Sequence, residues 1–306
     1  MEILHTVAEL RAWSRDARRP VSLRDDAGCG TVNWTGPPGT VALVPTMGAL
    51  HEGHASLIRA AAASCGSVAV SIFVNPTQFG PNEDFARYPR SFDADCALAA
   101  AEGADVVFAP SVDEIYPAGG TTFVDVVGLS QRLDGKSRPG HFRGVATVVA
   151  KLLIAAEPDR AFFGQKDAAQ VAVLRRMVAD LRLGTEIVVC PIVREPDGLA
   201  LSSRNVYLRE EEREWALTLS RSVRQVEALV AAGERRAGKL TQAARVTFAE
   251  MPQIRVDYIA LVDWATLEPV EVAAPGSLFA VAAYVGNTRL IDNAILGSAV
   301  SSGGPL

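Results

Sequence analysis

The sequence predicts an α/β protein in which a parallel sheet carries helices on both faces and a smaller α+β domain follows. Three observations carry this. Through most of the chain, short β-branched runs alternate with alanine-rich stretches of helical period, as expected of strands buried on both faces. After about residue 193 the alternation stops, and a charged amphipathic stretch gives way to closely spaced strands. The composition, 306 residues with 49% hydrophobic and 21% charged, supplies enough apolar material for a large core.

Taken in order, residues 41–45 (VALVP) read as a buried strand and 46–54 as a glycine-bearing loop. Residues 55–65 read as a helix with Leu57, Ile58, Ala61, Ala62 and Cys65 on one face. A second buried strand, 67–74 (SVAVSIFV), is stopped by Asn75-Pro76 and completes a βαβ unit. Residues 92–102 look helical and 104–109 form a third strand. An apolar helix over 145–156, a short strand over 160–163, a helix over 168–181 and a strand over 185–193 follow. Next comes an amphipathic helix over 210–232, with Leu219, Val223, Val226 and Val230 on one face. A second helix ends near Met251-Pro252, and 255–262, Ser277–Val285 and 288–291 read as strands. The expected division is 1–192 and 193–306, with the second domain closing over the site of the first. The Gly/Pro-rich stretch 22–40 is expected to be a surface loop, and the terminal SSGGPL a frayed tail.

Several function classes are disfavoured. No apolar run is long enough to span a bilayer, and the N-terminus has no apolar secretion core. A formal net charge of −5 argues against nucleic acid as a main partner. The four cysteines, Cys29, Cys65, Cys96 and Cys190, are scattered, which fits a reduced, cytoplasmic protein.

Five segments carry chemistry; four lie at or after a predicted strand end, where parallel α/β sheets bind ligands, and the fifth precedes the apolar helix over 145–156. In P-T-M-G-A-L-H-E-G-H, His51 and His54 open a helix beside Gly48 and Gly53. Unpaired N–H groups at a helix start hold phosphates, and two imidazoles there can donate to charge developing on phosphorus. The spacing is not the H-E-x-x-H of a zinc site. In F-V-N-P-T-Q-F, from Phe73, the amides of Asn75 and Gln78 are placed to bind a polar substrate. In F-F-G-Q-K-D, Lys166 suits a polyphosphate and Asp167 a ribose hydroxyl, with Gln170 one turn on. L-S-S-R-N offers Ser202, Ser203 and Arg204 to phosphate oxygens. S-R-P-G-H-F-R-G-V is a basic turn suited to a gate or an anion clamp. Each segment alone also reads as an ordinary capped helix or turn. Together they point to a nucleoside triphosphate and a small polar acid, without a P-loop or a dinucleotide fingerprint.

These segments, with Y-P-R at Tyr88, resemble in order the pantoate–β-alanine ligase family, densely over 41–210 and weakly on to 256–263. The resemblance implies a Rossmann-like domain of the HIGH-motif nucleotidylyltransferases and usually a homodimer. It implies condensation of D-pantoate and β-alanine through a pantoyl adenylate, with ATP and Mg²⁺. The alternative is a related adenylyl-transferring enzyme acting on another small acid or phosphate ester. By resemblance, His54, His51 and Lys166 are catalytic. Met47, Gly48, His51, Gly53, His54, Gly164, Lys166, Asp167, Val193, Leu201, Ser202, Ser203 and Arg204 would bind ATP. Gln78, Gln170, Asn75, Phe73, Arg138 and Tyr88 would face the acid, and Asp95 would hold the metal. Three departures stand out: Ala94 replaces one acid of the expected metal pair, Gln165 replaces a glutamate, and the 22–40 stretch is long.

Overall fold

The structure, a computed structural model, describes residues 1–19, 37–81 and 83–297. Most of the 22–40 stretch and the SSGGPL tail lie outside the described residues. The chain forms two compact units. One comprises Met1–Gln131 and Arg138–Val193, the other Arg132–Ser137 and Arg194–Leu306.

The first unit is built on a six-stranded sheet of β1 (Glu2–Leu4), β2 (Val41–Thr46), β3 (Ser67–Ile72), β4 (Val106–Phe108), β5 (Arg160–Gly164) and β6 (Glu186–Cys190). All pairs are parallel and the spatial order is β1-β4-β3-β2-β5-β6. Val41 to Val44 are fully buried because β2 is central, paired with β3 on one side and β5 on the other. From β2 the chain winds outward through β3 and β4, then returns to lay β5 and β6 on the opposite side. The order therefore reverses between β2 and β5, and the crevice beyond their carboxyl ends is the switch point where such sheets take ligands.

Five longer helices cover this sheet: α1 (Val7–Ala17), α2 (Glu52–Ser64), α3 (Phe92–Ala101) and, after two short helices α4 (Val112–Ile115) and α5 (Asp134–Ser137), α6 (His141–Ala156) and α7 (Ala168–Asp180). Helix α6 is apolar almost all round and correspondingly buried, since α1, α7 and β2 all pack on it. Leu57, Ile58 and Ala61 of α2 and Ala99 of α3 face Val44, Val68, Val70 and Phe162 of the strands.

In the second unit, α8 (Glu210–Ala231) and α9 (Ala237–Ala249) cover an antiparallel sheet of β7 (Ile254–Asp263), β8 (Ser277–Val285) and β9 (Thr288–Ile295). Leu219, Val223 and Val226 of α8 and Leu240 and Phe248 of α9 meet Phe279 and Val281 of β8. The 132–137 segment joins this unit through ionic contacts. Asp134 pairs with Arg289 at 2.7 Å and accepts from the Tyr258 hydroxyl at 3.1 Å. The Ser137 hydroxyl donates to Asp257 at 2.9 Å, and Arg289 binds the same carboxylate at 2.8 Å. Burial pushes the Tyr258 hydroxyl well up, and Asp134 adds to the effect.

Several elements differ from the sequence expectation: β1 was not anticipated, and β3 and β6 end at Ile72 and Cys190 rather than 74 and 193. Helix α2 starts at Glu52 rather than 55, because His51 caps it. Helix α6 starts at His141 rather than 145. Strand β9 runs to Ile295 instead of 291: Asp292 and Asn293 look like a polar stop, but the Asp292 carboxylate is buried against Arg194 at 2.7 and 2.9 Å. Among the described residues, no helix is long and apolar enough to cross a membrane.

Candidate active site

The loop leaving β2 carries the two histidines to the switch point. His51 is the N-cap of α2, and its Nδ1 accepts the Gly53 N–H at 3.1 Å. The His51 N–H in turn donates to His54 Nδ1 at 3.3 Å. A ring nitrogen that accepts carries no proton, so each imidazole holds its proton on Nε2. The rings lie 4.1 Å apart between centroids. His54 is half-buried, and its pKa is pushed down to about 3, first by burial, then by His51 and by Lys166. It is therefore a neutral N–H donor throughout the physiological range.

A buried carboxylate holds this loop in shape. Asp95, on α3, is 2% exposed. Its Oδ2 accepts the Ala49 N–H at 2.9 Å, and its Oδ1 accepts the Leu50 N–H at 2.8 Å and the Ser91 hydroxyl at 2.9 Å. Gly48 and Ala49 both take left-handed backbone conformations, at φ of 81° and 51°. A side chain at Gly48 would sit 3.0 Å from Asp95 Oδ2, so the turn requires glycine there. Asp95 was expected to hold a metal. The structure instead spends its carboxylate on the histidine loop, and among the described residues no three His, Cys, Asp or Glu side chains gather as a metal site.

After β3, a short 3₁₀ turn (Pro76–Gln78) carries the amides expected to face the acid. Asn75 is 1% exposed and committed within the protein. Its Nδ2 donates to Gln78 Oε1 at 3.0 Å and to the Gly144 carbonyl at 3.2 Å. Its Oδ1 accepts from the Thr77 N–H, the Thr77 hydroxyl and the Tyr116 hydroxyl. Both ends of the Asn75 amide are thus engaged by neighbouring groups of the protein. Gln78 stays half-buried, with Nε2 donating to Met47 Sδ at 3.0 Å. Phe73 and Tyr88, also expected beside the acid, are buried in aromatic packing, Phe73 against Tyr116 and Tyr88 edge-on to Phe79.

Arg138 joins the same cluster. Its guanidinium forks onto Glu83 at 2.7 and 2.5 Å and reaches His141 Nε2 at 2.9 Å. His141 Nδ1 lies 2.8 Å from the Gln78 carbonyl, to which it must donate. Burial works to raise the Glu83 pKa, but the Arg138 contacts prevail and hold it below the usual carboxylate range. Glu83 and Tyr116 escaped the sequence reading. Each stands in an irregular segment with no motif, and only the fold brings it here.

At the end of β5, Gly164 faces open space: a Cβ there would meet nothing within 4 Å. Lys166 lies 3.5 Å from Asp167 and close enough to His54 to act on its titration. Gln170 is half-buried on the first turn of α7, and Val193 follows β6. The sheet thus brings together the loops of Met47–His54, Asn75–Gln78 and Gly164–Gln170. In the second unit, Leu201 precedes a 3₁₀ turn (Ser203–Tyr207) whose cap is Ser202, accepting the Arg204 N–H at 3.3 Å. Asn205 ties this turn to Glu195 at 2.8 Å and to the Ala200 carbonyl at 3.1 Å.

A family model described as pantoate-beta-alanine ligase matches residues 2–295. The chain belongs to the pantoate–β-alanine ligase family. It is 59% identical over 299 residues to the pantothenate synthetase of Acidobacterium capsulatum, covering 97% of each chain. It is 51% identical over 305 residues to that of Koribacter versatilis, covering 100% of this chain and 99% of the relative. Among solved structures, the pantothenate synthetase of Thermus thermophilus superposes with a TM-score of 0.85 at 42% identity, covering 96% of this chain and 99% of that one. The Francisella tularensis pantoate-beta-alanine ligase, complexed with beta-gamma ATP and beta-alanine, gives 0.73 at 33% identity, covering 96% and 97%. The six-stranded parallel sheet and its small antiparallel companion are thus the fold of this ligase family.

Proposed function

We propose that this chain joins D-pantoate to β-alanine at the switch point of its parallel sheet, through an enzyme-bound pantoyl adenylate. The observation that carries the reading is the pair of neutral Nε2–H donors on His51 and His54, set beside Lys166. In the first step a pantoate carboxylate oxygen attacks the α-phosphorus of ATP and the bond to pyrophosphate breaks. Negative charge builds on the phosphate oxygens, where fixed donors stabilise the transition state more than the ground state. His54, His51, Lys166 and the start of α2 supply those donors. Gly164 leaves room for the nucleotide, Asp167 suits a ribose hydroxyl, and Val193 follows the last strand as an adenine contact. Ser202, Ser203 and Arg204 carry groups suited to phosphate oxygens.

In the second step the neutral amine of β-alanine attacks the acyl carbon, AMP leaves and the amine sheds a proton. Gln78 and Gln170 hold the acid for both steps, and positioning is the larger part of the catalysis. Arg138 takes part as a cation that Glu83 holds in place. The residues present do not fit a protein-held metal, because Asp95 is buried and committed. Mg²⁺ belongs to this reading as the counter-ion of the ATP phosphates, its usual place. A cytoplasmic homodimer completes the proposal, and sedimentation tests that part. Pyrophosphate–ATP isotope exchange before β-alanine is added tests the chemistry. Exchange that needs D-pantoate is expected; exchange driven by a different acid, or none from ATP-binding protein, would overturn the reading.

A further inference from the structure

The Asn75 amide is fixed in one orientation by two backbone groups that cannot exchange roles. The Thr77 N–H can only donate, so it selects Oδ1 at 3.3 Å. The Gly144 carbonyl can only accept, so it selects Nδ2 at 3.2 Å. That carbonyl is within reach because Gly144 has no side chain. A Cβ there would lie inside contact distance of the Thr77 carbonyl and 2.7 Å from the Gln78 Cα. The second Nδ2 hydrogen points at Gln78 at 3.0 Å, so the Gln78 atom it meets must be the oxygen. Gln78 Nε2 is then turned the other way, with one hydrogen on Met47 Sδ at 3.0 Å.

Tyr116 locks the first link. Its hydroxyl lies 2.8 Å from Asn75 Oδ1 and 3.0 Å from the Thr77 hydroxyl, which also donates to Asn75 at 2.9 Å. The ring is held by Phe73 at 6.3 Å and by Lys151 at 5.3 Å. Burial pushes the Tyr116 pKa up, so the hydroxyl remains a donor at neutral pH.

We propose that Tyr116 and Asn75 are positioning residues that set the polarity of the Gln78 amide, so that Gln78 meets its substrate only as an N–H donor. The proposal rests on the reading that Gln78 contacts the acid substrate, and it deepens that reading. It assigns the group recognised there to the acceptor class, a carboxylate or hydroxyl oxygen with its lone pair directed at Nε2. It also gives the polar residues around Gln78 a shared purpose. Each bond in the relay removes one way for the amide to flip, so the donor is presented without first paying an ordering entropy.

Two variants of the full-length chain test it in pyrophosphate exchange. Tyr116→Phe keeps the ring and its packing and removes only the donor to Asn75. The KM for pantoate should rise about three- to tenfold, the worth of one neutral hydrogen bond, while the KM for ATP and the unfolding midpoint stay put. Gln78→Glu keeps the shape and puts an acceptor where the donor stood. It should lose about a hundredfold or more in kcat/KM for pantoate at pH 8. Relative to wild type, it should recover as the pH falls toward 5.5 and the new carboxyl regains a proton.

An unchanged pantoate KM in Tyr116→Phe, or equal rises in both KM values, would overturn the relay. So would a Gln78→Glu enzyme as good as wild type at pH 8. Wild-type protein without pantoate-dependent exchange would instead refute the function. The relay is then read from the Gln78 side-chain amide resonances in a ¹⁵N–¹H spectrum. NH₂ protons protected from solvent exchange, whose protection is lost and whose shifts move in Tyr116→Phe, support it, and signals insensitive to that change refute it.

Discussion

Replacing Asp95 by asparagine is the sharpest perturbation of the histidine loop. The substitution keeps the shape and exchanges one acceptor oxygen for an NH₂ donor. Two backbone N–H groups converge on the carboxylate from Ala49 and Leu50, one on each oxygen. Whichever oxygen is exchanged, one backbone N–H is left facing another donor. An orphaned buried N–H costs about 1–3 kcal/mol, and the surviving bond loses its charge assistance, about 1 kcal/mol more. The expected loss is about 2–4 kcal/mol, or on the order of 5–10 °C in the midpoint of the first unit. The left-handed Ala49 adds to the strain that Asp95 holds in check, so the loop should relax and misplace both imidazoles. Urea unfolding followed by tryptophan fluorescence, with pyrophosphate exchange across a Mg²⁺ series, measures both effects. Exchange should fall at least about tenfold at every Mg²⁺ concentration. Wild-type stability with activity restored by excess Mg²⁺ would refute this reasoning and return Asp95 to a metal-binding role.

Other changes have equally definite outcomes. His54→Ala and Lys166→Ala should each slow pantoate-dependent exchange by about 10²-fold or more with the fold intact by circular dichroism; near-wild-type rates would remove the residue from the mechanism. His54 titrates at about 3 in the folded protein and near its ordinary value when unfolded. Below about pH 6.5 the unfolded chain therefore binds a proton that the native state refuses, and stability falls with acidification by up to about 1.4 kcal/mol per pH unit from this group. His54→Gln should flatten that slope between pH 6.5 and 4 in urea titrations, and an unchanged slope would contradict the burial assigned to the ring. Gly144→Ala should destabilise the first unit by about 1–3 kcal/mol or more, since the new methyl meets backbone at Thr77; a neutral effect in thermal melts would show that α6 has slack. Arg194→Met strands the Asp292 carboxylate, whose side chain is 1% exposed, and should cost the second unit about 3–5 kcal/mol by urea denaturation.

Much of the fold was legible because a central parallel strand must be apolar on both faces. Val41–Thr46 and Ser67–Ile72 announce themselves for that reason. Strand β9 did not, because Asp292 and Asn293 read as a stop until Arg194 is seen to neutralise the carboxylate. At the site, the residues that open helices after strands were visible as motifs. What each polar side chain points toward was not. Asn75 and Asp95 have the same sequence signature whether they face a ligand or the interior. Only the neighbouring Thr77, Gly144, Ala49 and Leu50 backbones decide the matter. Glu83 and Tyr116 were silent because the partners they meet, Arg138 and Asn75, are remote in sequence.

The short excursion of residues 132–137 into the second unit bears on how the molecule is made and how it can be cut. The ribosome delivers Asp134 long before it delivers Arg289, yet the two end as an ion pair. Until β9 emerges, Asp134 waits without its guanidinium, and Asp257 without the second of its two partners. The C-terminal unit is therefore not a genetic cassette. A fragment starting at Arg194 would carry Arg289 without the Asp134 that helps neutralise it, and a fragment ending at Val193 would carry the 132–137 segment with Asp134 lacking its guanidinium. Vectorial synthesis completes the second unit only when its last strand supplies Arg289 to a segment made much earlier.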